Sequence, residues 1–337
     1  MRITAIILIV ALCAPAPRSH GQTPLPTAVR RTVAMGTFLT ISVHDSGQSP
    51  ERIHALIDSA FAEVRRIELF ASNYIDTTEI GRINRAAGRD TVAVSEELVW
   101  LLRECLRYGV LSGGKFDITI GPLIRLWGFT GPAPEIPDSA AVDRARLLTG
   151  QGRIVLGDGA VHLPTPGMEI DLGAIGKGYA VDRAAEVLSR NGLRRFIVDL
   201  GGNLGVRWEG EPGPPAVEIR HPRQSGTLFG EIRGVTGGVA TSGDYERFFV
   251  RNGVRYHHII DPGTGFPSRG VVAVTIVAPD AMSADALSTI VFLLGPARGM
   301  ELVSRIPGVE CLMLLEEKGR LECRLSAGLR ERFVPAP

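Results

Sequence analysis

Strand-forming runs in this chain lie a hairpin's length apart, and the helices fall between groups of strands rather than after each one. The run VRRTVAMGTFLTISVHD (29–45) is rich in β-formers and reads as a strand pair or one long bent strand. RRFIVDL leads into Gly201-Gly202-Asn203, and FFVRN and RYHHIID follow a turn-rich stretch at 236–244. Three helices are well marked. Ser49 caps the first, with Pro50 at its first position and Leu56, Ala60, Phe61, Val64 and Ile67 at helical spacing. The second starts near Ser95, buries Leu98, Leu101, Leu102 and Cys105 on one side, and stops at Gly113-Gly114. The third runs from about Lys177 to Asn191, and a further helix is expected near 284–294. This pattern predicts an α+β fold of mixed, largely antiparallel sheets with flanking helices, not a regular βαβ winding. A Rossmann fingerprint and a fixed-period repeat are both missing, which excludes solenoids and propellers.

The N-terminus pairs one Arg with an apolar run from Ile3 to Leu12 and then a Pro-rich, small-residue stretch. That is the layout of a secretory signal, too short to span a bilayer. Residues 1–21 are therefore expected to be a signal peptide, 22–29 a linker and 30–330 one domain in an exported, periplasmic or cell-surface protein. Cys13 raises lipid attachment, although Leu12 before it argues against it. With 37 basic against 36 acidic residues, the 337-residue chain carries no electrostatic footprint for nucleic acid. Cys311 and Cys323 flank a Lys-Gly turn and are expected to face each other across a hairpin, as a disulfide or as two buried thiols.

Four segments carry chemistry. In IDLGAIGKGYAVD a strand ends at Asp171, a Gly loop follows, and Lys177 opens a helix whose amides and positive end would suit a phosphate. It is not a Walker A loop, because Gly178 stands where Ser or Thr would hold a metal. In MSADALSTIVFLLG, Asp285 and Thr289 share a helix face, and their oxygens suit Mg2+ completed by substrate phosphates, although first-turn Asp also has a purely structural role. In TSGDYERFFVRNGVRYHHIIDPGTG, His257 and His258 point to opposite sides of a strand, so only one can serve a site as proton carrier. SGGKFDITIGPLIRLWGF places Lys115, Phe116 and Asp117 beside aromatics that could equally pack a core or face a flat ring.

In this order, MGT, SNYIDTTEIGRIN, GKFDITIGPL, DLGAIGKGYAVD, GGN, TSGDY, HHIIDPGTG and ADALST, the segments resemble the ApbE family of FAD:protein FMN transferases over roughly residues 30–325. The resemblance implies FAD held in a cleft between subdomains by Met35, Tyr74, Lys115, Phe116, Asp117, Asp171, Lys177 and Ile259. It implies Mg2+ on Asp285, Thr289 and the carbonyl of Ala174, and His258 as the histidine of the site. The expected reaction moves FMN from FAD to a Ser or Thr of an acceptor protein, a membrane-bound redox subunit, and releases AMP. His258 or Asp244 is the expected base. Hydrolysis of FAD to FMN and AMP, or flavin binding without catalysis, are the alternatives.

Overall fold

The computed structural model describes residues 25–337 apart from 46, 130, 132 and 133, so the expected signal peptide (1–21) and Cys13 lie outside the described residues. Ten strands matter here: β1 (Ala28–Ala34), β2 (Thr37–Val43), β3 (Arg195–Leu200), β4 (Asn203–Trp208), β5 (Gly237–Gly243), β6 (Phe248–Arg251), β7 (Val254–His257), β8 (Ala273–Ala278), β9 (Glu310–Glu317) and β10 (Arg320–Leu325). Seven α-helices accompany them: α1 (Pro50–Ala71), α2 (Glu79–Ala86), α3 (Glu96–Leu111), α4 (Gly121–Trp127), α5 (Ser139–Arg146), α6 (Gly176–Arg190) and α7 (Ala281–Ser304).

Eight strands form one sheet in the order β1-β2-β3-β4-β5-β8-β9-β10, and every neighbouring pair is antiparallel. The expected α+β organisation is what the chain adopts. Side-chain alternation gives the sheet two different faces. On β9, Cys311 and Met313 enter the main core with α1, α6 and α7, whereas Leu312 and Leu314 enter a second core. That second core lies under a small sheet of Val217–Arg220, Leu228–Ile232 and Phe333–Pro335. A third cluster, around Leu123 and Trp127, joins α4 and α5 to the β6–β7 hairpin. The 24 residues of α7 are long and apolar enough to cross a membrane, but half of that stretch is buried against sheet and α6, which makes it a core helix. It breaks at Gly295, where φ is 75°, just before Pro296.

The hairpin of β9 and β10 corrects the cysteine expectation. Lys318 and Gly319 both adopt positive φ in a two-residue turn, so Glu317 pairs with Arg320 and Cys323 falls opposite Leu314. Cys311 lies three residues further along β9, on the opposite face, and both thiols are free. Burial holds both thiols above their usual range, Cys323 up to about 11.

Candidate active site

The first turn of α6 and the start of α7 meet at Gly178. Its N–H donates to Asp285 Oδ2 at 2.9 Å. In a regular helix that amide would close onto the carbonyl four residues back, Ala174, so turning it to Asp285 frees the Ala174 oxygen for another partner. Only glycine permits the contact: a Cβ at 178 would sit 2.2 Å from the Ala281 carbonyl oxygen and 2.7 Å from Asp285 Cβ.

Asp285 is buried, and its other oxygen faces Lys177 Nζ at 3.6 Å. Asn203, delivered by the Gly201-Gly202 turn between β3 and β4, completes the group. With its amide oriented to suit both neighbours, it donates to Asp285 Oδ1 at 3.3 Å and accepts from Lys177 Nζ at 3.1 Å. Lys177 also donates to the Gly173 carbonyl at 3.3 Å. One turn along α7, the Thr289 hydroxyl makes a loose 3.3 Å contact with Ser242, which is bonded more closely to Ser288 at 2.8 Å. Asp285 and Thr289 thus share one side of α7 with the lysine loop beside them.

The expected phosphate cradle at the α6 N-terminus is corrected here. Gly176 and Tyr179 donate to the carbonyls of Leu172 and Ile175, and Gly178 donates to Asp285, so these amides are already satisfied. An anion at this place would meet the Lys177 ammonium rather than a row of free N–H groups. The start of α7 is equally closed, with Asp182 accepting from Ala281 and Met282 and Asp280 from Ser283.

Around this centre the other expected residues divide. Met35 occupies the β1–β2 turn at φ 49°, held by a 2.9 Å bond from its N–H to Glu68, and its Cε reaches the space over Gly176. Asp171 is buried, accepting from Gly173 N–H at 2.7 Å and from Asn73 Nδ2 at 2.8 Å. Tyr74 follows Asn73 and is 65% exposed, with its hydroxyl in reach of the Arg247 side chain. Lys115 is paired with Asp261, which also accepts from Gly263 N–H at 2.9 Å. Asp117 closes its own turn onto Thr119 N–H at 2.8 Å. Phe116 and Ile259 are core side chains: Phe116 packs on Tyr108 and bonds its N–H to Ser112, and the Ile259 carbonyl is taken by Ser268. Neither side chain is free to meet a ligand.

The two histidines separate as alternation requires. His257 is buried edge-on against Phe292, with Nε2 at 2.7 Å from the Ser268 carbonyl, and is structural. His258 lies on the side of Lys177 and Arg247. Its Nδ1 faces the Arg247 carbonyl at 3.4 Å, so that nitrogen carries the proton and Nε2 keeps its lone pair. Removal from water, followed by the positive charge of Arg247, His257 and Lys177, pushes its pKa down to about 4. Asp244 does not fit the role of base. Both its oxygens are held by Arg223, at 2.7 and 2.8 Å, and Arg223 also bonds Glu316 on β9. A carboxylate in a bidentate pair is a structural clamp.

The sequence profile of the ApbE family matches residues 35–313. This chain belongs to the ApbE family. It is 34% identical over 323 residues to the FAD:protein FMN transferase of Treponema pallidum, covering 90% of this chain and 88% of that protein. The corresponding protein of Escherichia coli K12 is 30% identical over 310 residues, with 89% and 87% covered. Among solved structures, the ApbE protein from Thermotoga maritima superposes with a TM-score of 0.81 at 33% identity, covering 90% of this chain and 98% of that one. The Vibrio cholerae flavin transferase ApbE superposes with a TM-score of 0.78 at 28% identity, covering 90% and 98%.

Family membership invites a test of the local chemistry against Mg2+, and the donor set fits. Asp285 Oδ1 is within reach of Lys177 and Asn203 only at long range, the Thr289 hydroxyl is loosely engaged, and the Ala174 carbonyl has lost its helical donor. All three are hard oxygens. No group of three or more His, Cys, Asp or Glu side chains is gathered among the described residues, so a closed all-protein cage is not built. A cation that keeps waters and takes substrate phosphates suits such a site.

Sequence reasoning missed Asn203 and Arg247 as members of the site. The GGN turn was the available signal for Asn203. Arg247 had none, since nothing along the chain says that residue 247 reaches Tyr74 while its carbonyl orients His258.

Proposed function

We propose that this chain transfers FMN from FAD to a Ser or Thr hydroxyl of another protein, releasing AMP, with Mg2+ as cofactor. The observation that carries the reading is the junction of Lys177, Asn203 and Asp285 around Gly178, which freed the Ala174 carbonyl. The family's named relatives, FAD:protein FMN transferases, support the same reaction class. In this reading the acceptor oxygen bonds to the FMN-side phosphorus as the diphosphate bridge breaks, and AMP leaves with the bridging oxygen. Asp285, Thr289 and the Ala174 carbonyl would hold Mg2+, which supplies Lewis-acid stabilisation of the diphosphate oxygens when bound. Lys177 offers a second positive charge on the same side.

His258 takes the hydroxyl proton on Nε2. Its depressed pKa keeps it neutral and therefore able to accept, and the arrival of a diphosphate beside Lys177 and Arg247 offsets the charges that lower it. Tyr74, exposed, and Met35, whose Cε lies over Gly176, would meet the flavin ring. We further propose that the protein is exported to the periplasm or cell surface, that it works close to the inner membrane, and that its acceptor is a membrane-bound redox subunit. The Arg-plus-apolar N-terminal run supports the export.

Incubating the chain with FAD, Mg2+ and a candidate acceptor, and weighing the acceptor intact, tests donor, metal and product together. The expected result is an acceptor heavier by one FMN less water, and loss of at least about a hundredfold in rate for Asp285→Ala, by analogy with removal of one charge-stabilising group. Free FMN and AMP with an unmodified acceptor would instead make the chain a pyrophosphatase. Intact FAD after long incubation would make it a flavin-binding protein.

A further inference from the structure

The β6–β7 hairpin carries a surface that the FAD reaction itself does not use. One of its sides is anchored: Phe249 and Tyr256 stack on each other with ring centroids 5.3 Å apart, and Tyr256 and Phe249 in turn contact Trp127 and Phe129. The other side faces water. Phe248 and Val250 are exposed there, and the Arg255 guanidinium lies 3.8 Å above the Phe248 ring. Val250 pairs with Arg255, and Phe248 lies on the same face, so these three groups form one stripe that stops at the buried His257.

Charge on the hairpin is of one sign. Arg247, Arg251 and Arg255, with Arg269 beside Tyr256, form no ion pair among the described residues. The nearby acids are already committed, Asp244 to Arg223 and Glu246 to Arg220. A chain whose net charge is +1 therefore holds four unneutralised arginines on or beside one hairpin, Arg255 on the side of Phe248 and Arg251 on the side of Tyr256. One of them has unused hydrogen-bonding capacity, since Arg255 Nη1 is buried without a hydrogen-bond partner. One end of the hairpin lies at the site, because β7 runs directly into His258 and Arg247, just before β6, reaches Tyr74.

We propose that this hairpin docks the acceptor protein through a segment combining acidic and apolar side chains, and so delivers its hydroxyl to His258. The proposal rests on the transferase reading, since that reaction requires a protein chain to arrive at this spot. An anionic membrane would also be drawn to arginines and exposed apolar groups, but a flat bilayer brings no protein hydroxyl to His258.

Two synthetic peptides of equal length, each presenting one Thr among leucines, would be titrated against the full chain by fluorescence anisotropy. One is flanked by Asp and Glu, the other by Lys. The chain is expected to bind the acidic peptide at least roughly tenfold more tightly, and the Arg251→Glu, Arg255→Glu double variant to lose that preference. FAD binding, followed by flavin fluorescence, should stay unchanged in both single variants and in the double, which also shows that they fold. Equal binding of the two peptides, or a preference untouched by charge reversal, would overturn the proposal. So would capture of phosphatidylglycerol vesicles by the arginines with no binding of the acidic peptide. Failure of the unsubstituted chain to bind FAD would count against the transferase reading alone, because the peptide titration needs no flavin.

Discussion

At Gly178 a single hydrogen atom in place of a methyl decides whether two helices can share a carboxylate. Ala at this position would place Cβ against the Ala281 carbonyl at 2.2 Å, a backbone atom that cannot swing aside. The Gly178→Ala variant is expected to lose about 1–3 kcal/mol of stability, in the range of overpacked cores. Its FAD affinity should fall as well, because Asp285 loses its N–H donor. A denaturant titration beside a flavin-binding curve checks both, and unchanged values would mean α6 and α7 slide apart freely. His258 gives a pH signature. Its folded pKa, pushed down to about 4 from an ordinary 6.5, means the unfolded chain takes up its proton first as pH falls. The stability that depends on keeping it neutral is complete above 6.5 and is lost as pH drops through about 4. Between pH 7.5 and 4.5 the wild type should therefore lose more stability than His258→Asn. Parallel pH curves for the two proteins would show that His258 titrates normally.

At the scale of elements, α7 is held in place from its first residue. Asp182 on α6 accepts from the Ala281 and Met282 amides, both at 2.8 Å, and Asp280 caps Ser283. Asp182→Ala leaves two amides without partners while the Asp280 cap remains, so a loss of about 2 kcal/mol is expected, within the range of lost caps and unsatisfied buried groups. Since α7 carries Asp285 and Thr289, metal-dependent flavin binding should weaken in step. Thermal melting with and without FAD and Mg2+ measures both, and a drop in Tm with no change in binding would uncouple cap from site. The helices with strong local signals were legible in the sequence. Ser49 and Ser95 do cap α1 and α3, and the expected end of the last helix near 294 is the Gly295 break. Three short helices were not. α4 begins without a side-chain cap, and α2 and α5, though capped by Thr78 and Asp138, are eight residues long with few apolar positions to set a period. The cysteine register was readable in principle. A two-residue Lys318-Gly319 turn pairs Glu317 with Arg320 and so places Ser326, not Cys323, across from Cys311. The site's long-range contacts had no local signal, and Lys177 and Asp285 entered the expected site together only through the family resemblance. Lys177 and Asp285 lie 108 positions apart, Arg223 and Asp244 are joined by tertiary packing, and no local pattern encodes either pair.

For the molecule as a whole, the antiparallel sheet is a platform whose one face collects α1, α6 and α7, and the site forms where two of those helices touch. On the proposed reading the chain offers three oxygens for a cation, and a bound diphosphate would have to supply the rest. This division of ligands dictates how stability responds to each component. Mg2+ alone should raise Tm very little, because the protein side of the site is incomplete. FAD alone should give a partial shift through Lys177 and the flavin contacts. Together they should exceed the sum. At a hundredfold excess over Kd the joint binding is worth about 2.7 kcal/mol, or roughly 4 °C for a domain of about 300 residues. Adding a chelator should return the melt to the FAD-only value. In Asp285→Ala the metal-dependent increment should vanish while the FAD-only shift survives, which separates loss of the cation from loss of the fold. A full shift from Mg2+ alone, or an increment that persists in Asp285→Ala, would place the cation elsewhere and detach α7 from the chemistry.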